Sequence, residues 1–502
     1  MTSVPIDRVL EEVRRTFRRG DLVKTVGMIR ELARQAGHDP RSRHLQAKLA
    51  IEFGQSREAV GLLETLVFEM TGDELREATI DLARARELQG DYEGGLTTIR
   101  PELEADDTPA AAIAVAARLR FKAGDEADAI KLLDDATPAD NEAYEIAATR
   151  AAIALATPAD HPDRAAREKA AIDALTTESE RVGLPASSLM RLLLDLGELN
   201  ARQGNDEAAT RAWKRSTHLS PYRVDPRSYG QAVGGLLKSW GDSNLSRARV
   251  NDSGEAAESE RPLFVVGMPG GGAQLVADLL AASPDAARTP DPEALTAAVG
   301  RNLAPANAGG QPVVPDPSKL SGKQIAGAAD HYLKRTAPSD GADPAARVID
   351  AFELNLHTLG IVAQLFPKAR VVFVKRPTDD ALIACMLAHR DPRLLYAADQ
   401  GGLAVFAGGI ARLADLWAGI FSSDDLPLAH TVVDFDAIVG DASARDELFK
   451  FAGITAPPAD EAERVIAAHT RFTQGQSGIA ARFAPHLPNI AQTAKQIGFD
   501  TI

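Results

Sequence analysis

Gly270, Gly271 and Gly272 stand in a row between an apolar run and a helical one, followed by Ala273 and Gln274. Consecutive glycines let the backbone turn tightly and bring bare N–H groups close to a ligand. At the start of a helix those groups point at an anion, and the helix dipole favours negative charge there. The chemistry on offer is therefore phosphate or sulfate binding. The spacing fits the Walker frame, with Gly267, four residues, then Gly272, but the next two positions, where that frame places Lys and Ser or Thr, hold Ala273 and Gln274. A nucleoside triphosphatase is disfavoured, because the lysine that would reach the phosphates is absent. The loop has the outline of a phosphate cradle without its charge or its hydroxyl.

Such a loop must be positioned by a strand before it and a helix after it. Leu263, Phe264, Val265 and Val266 read as a buried strand, and Leu275, Val276, Leu279 and Leu280 fall on one helical face. Further strands are predicted over 347–349, 369–374 and 430–435, with helical segments at 355–367 and 377–391. Strands alternating with helices imply an α/β layer with a mostly parallel sheet over residues 263–502. Asn355 is expected to cap the first of those helices. The segment 302–322, rich in Pro and Gly, reads as a lid over the site or a surface excursion.

Residues 1–240 are different, being helical throughout, with breaks at Gly, Asp or Pro. Gly20, Gly54, Gly90 and Gly124 are 34, 36 and 34 residues apart, and Gly204 opens a similar segment. A period of about 34 residues marks paired helices that stack. This half resembles tetratricopeptide repeats over residues 5–220, with a longer irregular repeat between Gly124 and Gly204. The resemblance implies an all-α solenoid whose concave surface binds a protein or peptide; the plainer alternative is a helical spacer or dimerisation device. Residues 241–262 are polar and read as a linker.

The chain of 502 residues carries 56 Lys and Arg against 71 Asp and Glu, a net charge of −15. That surface repels nucleic acid and anionic membranes, so an anionic cofactor needs a local cluster of positive charge. The single cysteine, Cys385, excludes an internal disulfide and reads as a small buried apolar residue, which fits a reducing, cytoplasmic setting. No apolar run is uninterrupted over a spanning length, and no signal or anchor pattern opens the chain. The ten histidines show no ligand spacing, so no metal is expected.

The ordered segments of the second half are similar to the sulfotransferases joined to tetratricopeptide repeats, related to tyrosylprotein sulfotransferases. RPLFVVGMPGGGAQLVADLLAASPDA at 261–286 faces that family's PxFVVGMPRSGTTLLEQILASHPDV. DAFELNLHTLGIVAQLFPKARVVFVKRPTDDALIA at 350–384 follows its second conserved block, and VDFDAIV at 433–439 with FAGI at 451–454 its last. The resemblance implies a P-loop α/β fold that moves a sulfuryl group from 3′-phosphoadenosine-5′-phosphosulfate to a hydroxyl. The family's cationic and hydroxyl loop contacts fall here on Gly270, Gly271, Ala273 and Gln274. Arg376 keeps the position of an arginine that holds the 3′-phosphate, while Ala384 replaces its serine partner. An Asp–Lys pair becomes Asp350 and Ala351, and the general base aligns with Asp291. Bonds to a charged group contribute about 1.5 to 3 kcal/mol each, so losing two or three weakens cofactor binding by roughly a thousandfold. Arg288, Lys334, Arg335 and Lys375 are the cations available to replace them. The expectation is a protein with a weakened or lost cofactor site and little transfer activity, whose repeats hold a protein partner. An active sulfotransferase acting on a protein or peptide hydroxyl is the alternative.

Overall fold

The computed structural model describes residues 6–139, 142–219, 225–241, 245, 247–248, 250–252, 254–303, 316–338, 345–387 and 400–487. The chain divides into two compact units, the first built on residues up to Tyr222 and the second starting at Arg223.

The first unit is helical: α1 (Ile6–Arg18), α2 (Leu22–Ala36), α3 (Pro40–Glu52), α4 (Ser56–Leu66), α5 (Gly72–Gln89), α6 (Tyr92–Leu103), α7 (Ala110–Ala123), α8 (Glu126–Asp134), α9 (Ala143–Ala156), α10 (Arg164–Ser179), α11 (Ala186–Arg202) and α12 (Asp206–Leu219). The periodic glycines explain the turns. Gly20, Gly54, Gly90, Gly124 and Gly204 all have positive φ, from 68° to 95°, the left-handed conformation that stops a helix. An aspartate that follows starts the next helix: Asp21 accepts from the Lys24 N–H at 3.1 Å and Asp91 from the Gly94 N–H at 3.0 Å.

Between Gly124 and Gly204 the chain forms four helices, α8 to α11, rather than one long irregular repeat. The turn between α9 and α10 is built on Pro158 and Asp163 with no glycine, so the period lost its marker there. Successive pairs bury apolar faces, such as Leu63, Leu66 and Leu82, then Ile99, Val115 and Leu119. Odd-numbered helices are also tied by a buried hydrogen bond between His44 and Asp81 at 2.9 Å and by a part-buried ion pair of Arg118 with Glu87 at 3.0 Å. In addition α11 meets α1 and α3: the Ser187 hydroxyl donates to the Arg18 carbonyl at 3.2 Å, and Arg191 pairs with Glu52. Part of the surface between odd-numbered helices is thus occupied by the unit itself.

The second unit opens with α13 (Pro226–Ser239) and continues through β1 (Pro262–Gly267), α14 (Ala273–Ala281), β2 (Ala286–Arg288), α15 (Ala294–Asn302), α16 (Gly322–Arg335), β3 (Arg347–Asp350), α17 (Leu359–Leu365), β4 (Arg370–Lys375), α18 (Thr378–Leu387), α19 (Gln400–Phe421), β5 (Ala429–Asp434), α20 (Phe435–Gly440), α21 (Ala442–Ala452), α22 (Ala459–Thr470) and α23 (Ile479–Phe483). The sheet is parallel, in the order β2-β3-β1-β4-β5, with Phe264 opposite Asp350 on one side and Val371 on the other. Leu263, Val265, Val372 and Val374 pack under α14 and α21 on one face. On the other, Phe264 stacks near Tyr332 of α16, and Phe373 near Phe421 of α19. Helices on both faces explain why the inner strands are apolar without alternation.

Two boundaries shift from the sequence reading. The helix α13, expected to close a helical domain ending at residue 240, packs on α19 of the second unit. Its Val233, Leu236 and Trp240 are buried, and Trp240 meets Trp417 edge-on with ring centroids 5.0 Å apart. Within 241–262, expected as a linker, Asn251 is tied down, its backbone N–H donating to the Gln364 carbonyl at 2.7 Å. Among the described residues one helix, 401–421, is long and apolar enough by length and composition to cross a membrane. Its Leu403, Phe406, Ile410, Leu413 and Trp417 are buried at helical spacing, while Arg412 and Asp415 are exposed, the pattern of a core helix.

Candidate functional site

The glycine loop leaves the end of β1 and enters α14 at Ala273, as the apolar runs predict. Gly270 and Gly272 take φ of 78° and 96°, and the Gly271 N–H closes the turn on the Met268 carbonyl at 2.7 Å. The N–H groups of Gly272, Ala273 and Gln274 have no acceptor among the described residues. They are the open donors of a helix start.

The three glycines leave no room for side chains. A Cβ on Gly270 would lie 2.4 Å from the Ala381 carbonyl oxygen and 2.5 Å from the Cys385 nitrogen, because α18 presses its backbone against the loop. On Gly271 it would meet the Met268 carbonyl at 2.6 Å, and on Gly272 the Phe435 ring at 2.1 Å.

Gln274 is held from two sides. Its amide donates to the Ala351 carbonyl at 2.8 Å, and its oxygen accepts from Arg288 Nη2 at 2.8 Å. Arg288, at the end of β2, also pairs with Asp278 of α14, whose other oxygen meets His469 Nε2 at 2.8 Å. Of the four cations named as replacements in sequence, Arg288 alone bonds a residue of the loop among the described residues. Arg335 pairs with Asp291, and Lys334 is exposed. Lys375, at the end of β4, is exposed and has no ion pair among the described residues.

Arg376 is 7% exposed, with its guanidinium 4.4 Å over the Phe435 ring. Nη1 donates to the carbonyls of Gly270 and Gln474, each at 2.8 Å, and Nη2 to that of Gln476. It bonds carbonyls, not the neighbouring Asp379 or Asp380. Burial lowers its pKa against the attraction of Asp380 and Asp436. Asp380 instead accepts from the N–H groups of Gly478 and Ala480, at 2.7 and 2.8 Å. Arg376 and Asp380 thereby fasten the strap that follows α22 to the loop and to α18. Ala384 is buried within α18.

Asp350 ends β3 fully buried. Its carboxylate accepts from Asn355 Nδ2 at 2.8 Å, from the Phe352 N–H at 3.2 Å and from the Tyr332 hydroxyl at 3.2 Å. Burial pushes its pKa up to about 6, although those three bonds pull the other way. Asn355 is not a helix cap. It lies inside a short 3-10 turn, Glu353–His357, with its side chain turned back to Asp350. Asp291 has one carboxylate oxygen on Arg335 and the other on the Glu293 N–H at 3.0 Å, so both are engaged. The segment 302–322, read as a lid or a surface excursion, falls in large part outside the described residues.

Beside the loop lies a cleft of about 600 Å³, counting its open mouth, between the carboxyl ends of β1 and β4. The chain leaves β1 toward β2 on one side of the sheet and leaves β4 toward β5 on the other. Open α/β sheets bind ligands at this reversal of strand order. Residues 262–457 match the model of the sulfotransferase family. The match begins at β1 and includes the loop, β4 and β5, whereas the strap and the helical unit lie outside it. Among solved structures, the sulfotransferase STF1 from Mycobacterium tuberculosis H37Rv is similar at 15% identity, over 72% of this chain and 99% of that chain, with a TM-score of 0.28. No curated protein matches.

Several features of this second unit carried no sequence signal. The short β2 that delivers Arg288 and the long α19 that walls the cleft were not anticipated. Nor was the strap, whose carbonyls meet Arg376. The hydrogen-bonded pair Asp278 and His469 is 191 residues apart and has no local pattern.

Proposed function

We propose that this chain is a sulfotransferase-family protein whose site for 3′-phosphoadenosine-5′-phosphosulfate is weakened or lost, with little or no transfer activity, and whose helical unit holds a protein or peptide. One observation carries the reading: Arg376, the cation at the 3′-phosphate position, already spends both terminal nitrogens on three carbonyls. A phosphate would have to displace them and would still find no serine at Ala384. The crowding at Gly270 and Gly271 adds to it, since the basic and hydroxyl side chains that the family loop carries at those two positions have no space here. What the loop retains is backbone N–H groups, which orient an anion but do not neutralise it.

Calorimetry of the full chain with 3′-phosphoadenosine-5′-phosphate tests this reading. Weak or absent binding is expected, and a Kd tighter than about 10 μM would contradict it.

Arg288 favours a second reading. It brings a cation to Gln274 at the start of α14, where charge develops in group transfer. An active sulfotransferase acting on a protein or peptide hydroxyl would then transfer labelled sulfate to cellular protein, and the Arg288→Ala variant would not. The lone cysteine supports a cytoplasmic setting, and the net charge of −15 argues against nucleic-acid partners and membrane insertion.

A further inference from the structure

We infer that the cleft at the strand-order reversal binds an amphipathic organic anion, an apolar body carrying one acidic head. The inference rests on the reading above that the nucleotide does not claim this site. The wall is apolar: Leu356, Phe373 and Ile410 are buried with atoms facing the cavity, and Met268, Ala411 and Val432 complete it. Val432 is 44% exposed on the edge strand, an apolar side chain that a ligand lying in the cleft would cover.

The polar contribution is sparse and of one sign. Among the described residues no carboxylate lines the cavity, although Asp and Glu outnumber Lys and Arg by 71 to 56 in the chain. Lys375 and Thr378 both line it, and among the described residues the Lys375 ammonium has no ion pair and the Thr378 hydroxyl no partner. Arg376 also lines it, but with its terminal nitrogens committed to carbonyls. An apolar cavity with a few convergent polar groups is the usual form of a small-molecule site. The free cation selects an anionic head, and the apolar wall selects against a hydrated inorganic ion. A polyphosphorylated nucleotide would set several charges against this wall and find one unpaired ammonium.

The test is calorimetry on the full chain with octanoate, octanol and inorganic sulfate, for the natural protein and for Lys375→Gln and Ala411→Phe. Octanoate is expected to bind saturably at one site, octanol more weakly and sulfate not at all. Lys375→Gln should weaken octanoate by about tenfold, one charged hydrogen bond, and leave octanol within about twofold. Ala411→Phe, at a half-buried position facing the cavity, should weaken both. Circular dichroism confirms that each variant is folded. The inference is overturned if octanoate gives no saturable heat, if Lys375→Gln weakens octanoate and octanol equally, or if Ala411→Phe leaves both unchanged, as surface adsorption would. A parallel titration with 3′-phosphoadenosine-5′-phosphate keeps the two claims apart. Tight nucleotide binding overturns the proposed loss of cofactor affinity, whereas absence of octanoate binding overturns only the identity of the cleft's ligand.

Discussion

Arg376 Nη1 lies 2.8 Å from the carbonyl oxygen of Gly270, so the loop is tied to the end of β4 by a buried guanidinium. The same nitrogen holds Gln474, and its neighbour holds Gln476. Replacing this arginine therefore tests architecture before it tests ligand binding. Arg376→Ala should lower the stability of the chain by about 3 kcal/mol, because buried carbonyls lose charged donors. Arg376→Lys should recover little, since an ammonium cannot reproduce the fork. Urea denaturation measures the loss, and limited proteolysis should show earlier cutting near Gln474. Unchanged stability in Arg376→Ala would mean that the arginine does not hold the strap.

Asp350 makes stability depend on pH in an unusual direction. Its folded pKa of about 6 lies above the ordinary 3.8, so the folded state holds the proton more tightly than the unfolded one. Its stabilising contribution is complete below about pH 4 and is lost as pH rises through 6. Above that, the buried carboxylate costs about 3 kcal/mol, as an order of magnitude. Asp350→Asn keeps an oxygen for Asn355 and Phe352 and offers an amide hydrogen to the Tyr332 hydroxyl. Denaturation from pH 4 to 8 should show the variant gaining on the natural protein as pH rises. A constant difference across that range would remove Asp350 as the cause.

The placement of α13 yields a prediction about fragments. Trp240 is 2% exposed and sits against Trp417, and Val233 and Leu236 are buried on the same helix. A fragment of residues 223–502 should unfold cooperatively. One of 241–502 loses three buried side chains, each worth about 2 to 5 kcal/mol by large-to-small precedent, and should be unfolded or aggregated. Equal stability of the two would return the boundary to residue 240.

Legibility in sequence followed the range of the forces involved. The strand, loop and helix around Gly270 are written in neighbouring residues, as are the Gly–Asp turns, where one residue stops a helix and the next starts another. The allegiance of α13 is not local. Its apolar stripe says that it must pack, without saying on which unit. Likewise Arg376 could be marked as a cation near a strand end, but the carbonyls of Gln474 and Gln476 come from about a hundred residues away. Asn355 misled for a related reason: its position suited a cap, yet the buried carboxylate of Asp350 offered a stronger acceptor than a helix N–H offers a donor. The absence of loop side chains was visible in sequence, but the reason they cannot simply be put back was not.

That reason gives the last prediction. If the loop had only lost its cation, Gly270→Arg would restore one. At this position φ is 78°, which side-chain-bearing residues rarely adopt, and the added Cβ would lie 2.4 Å from the Ala381 carbonyl oxygen. Both obstacles are backbone, and neither yields by rotating a side chain. Gly270→Arg should therefore lower stability by about 2 kcal/mol or more and bring no gain in 3′-phosphoadenosine-5′-phosphate binding. Gln274→Thr offers a contrast, because it restores a hydroxyl at the helix start and releases Arg288 from the glutamine oxygen. It should fold normally and bind the nucleotide more tightly than the natural chain, by up to about tenfold for one regained charged contact. Calorimetry and denaturation on the two variants decide the point. Rescue by Gly270→Arg, with stability intact, would show that α18 can withdraw from the loop and that the crowding at Gly270 is not fixed.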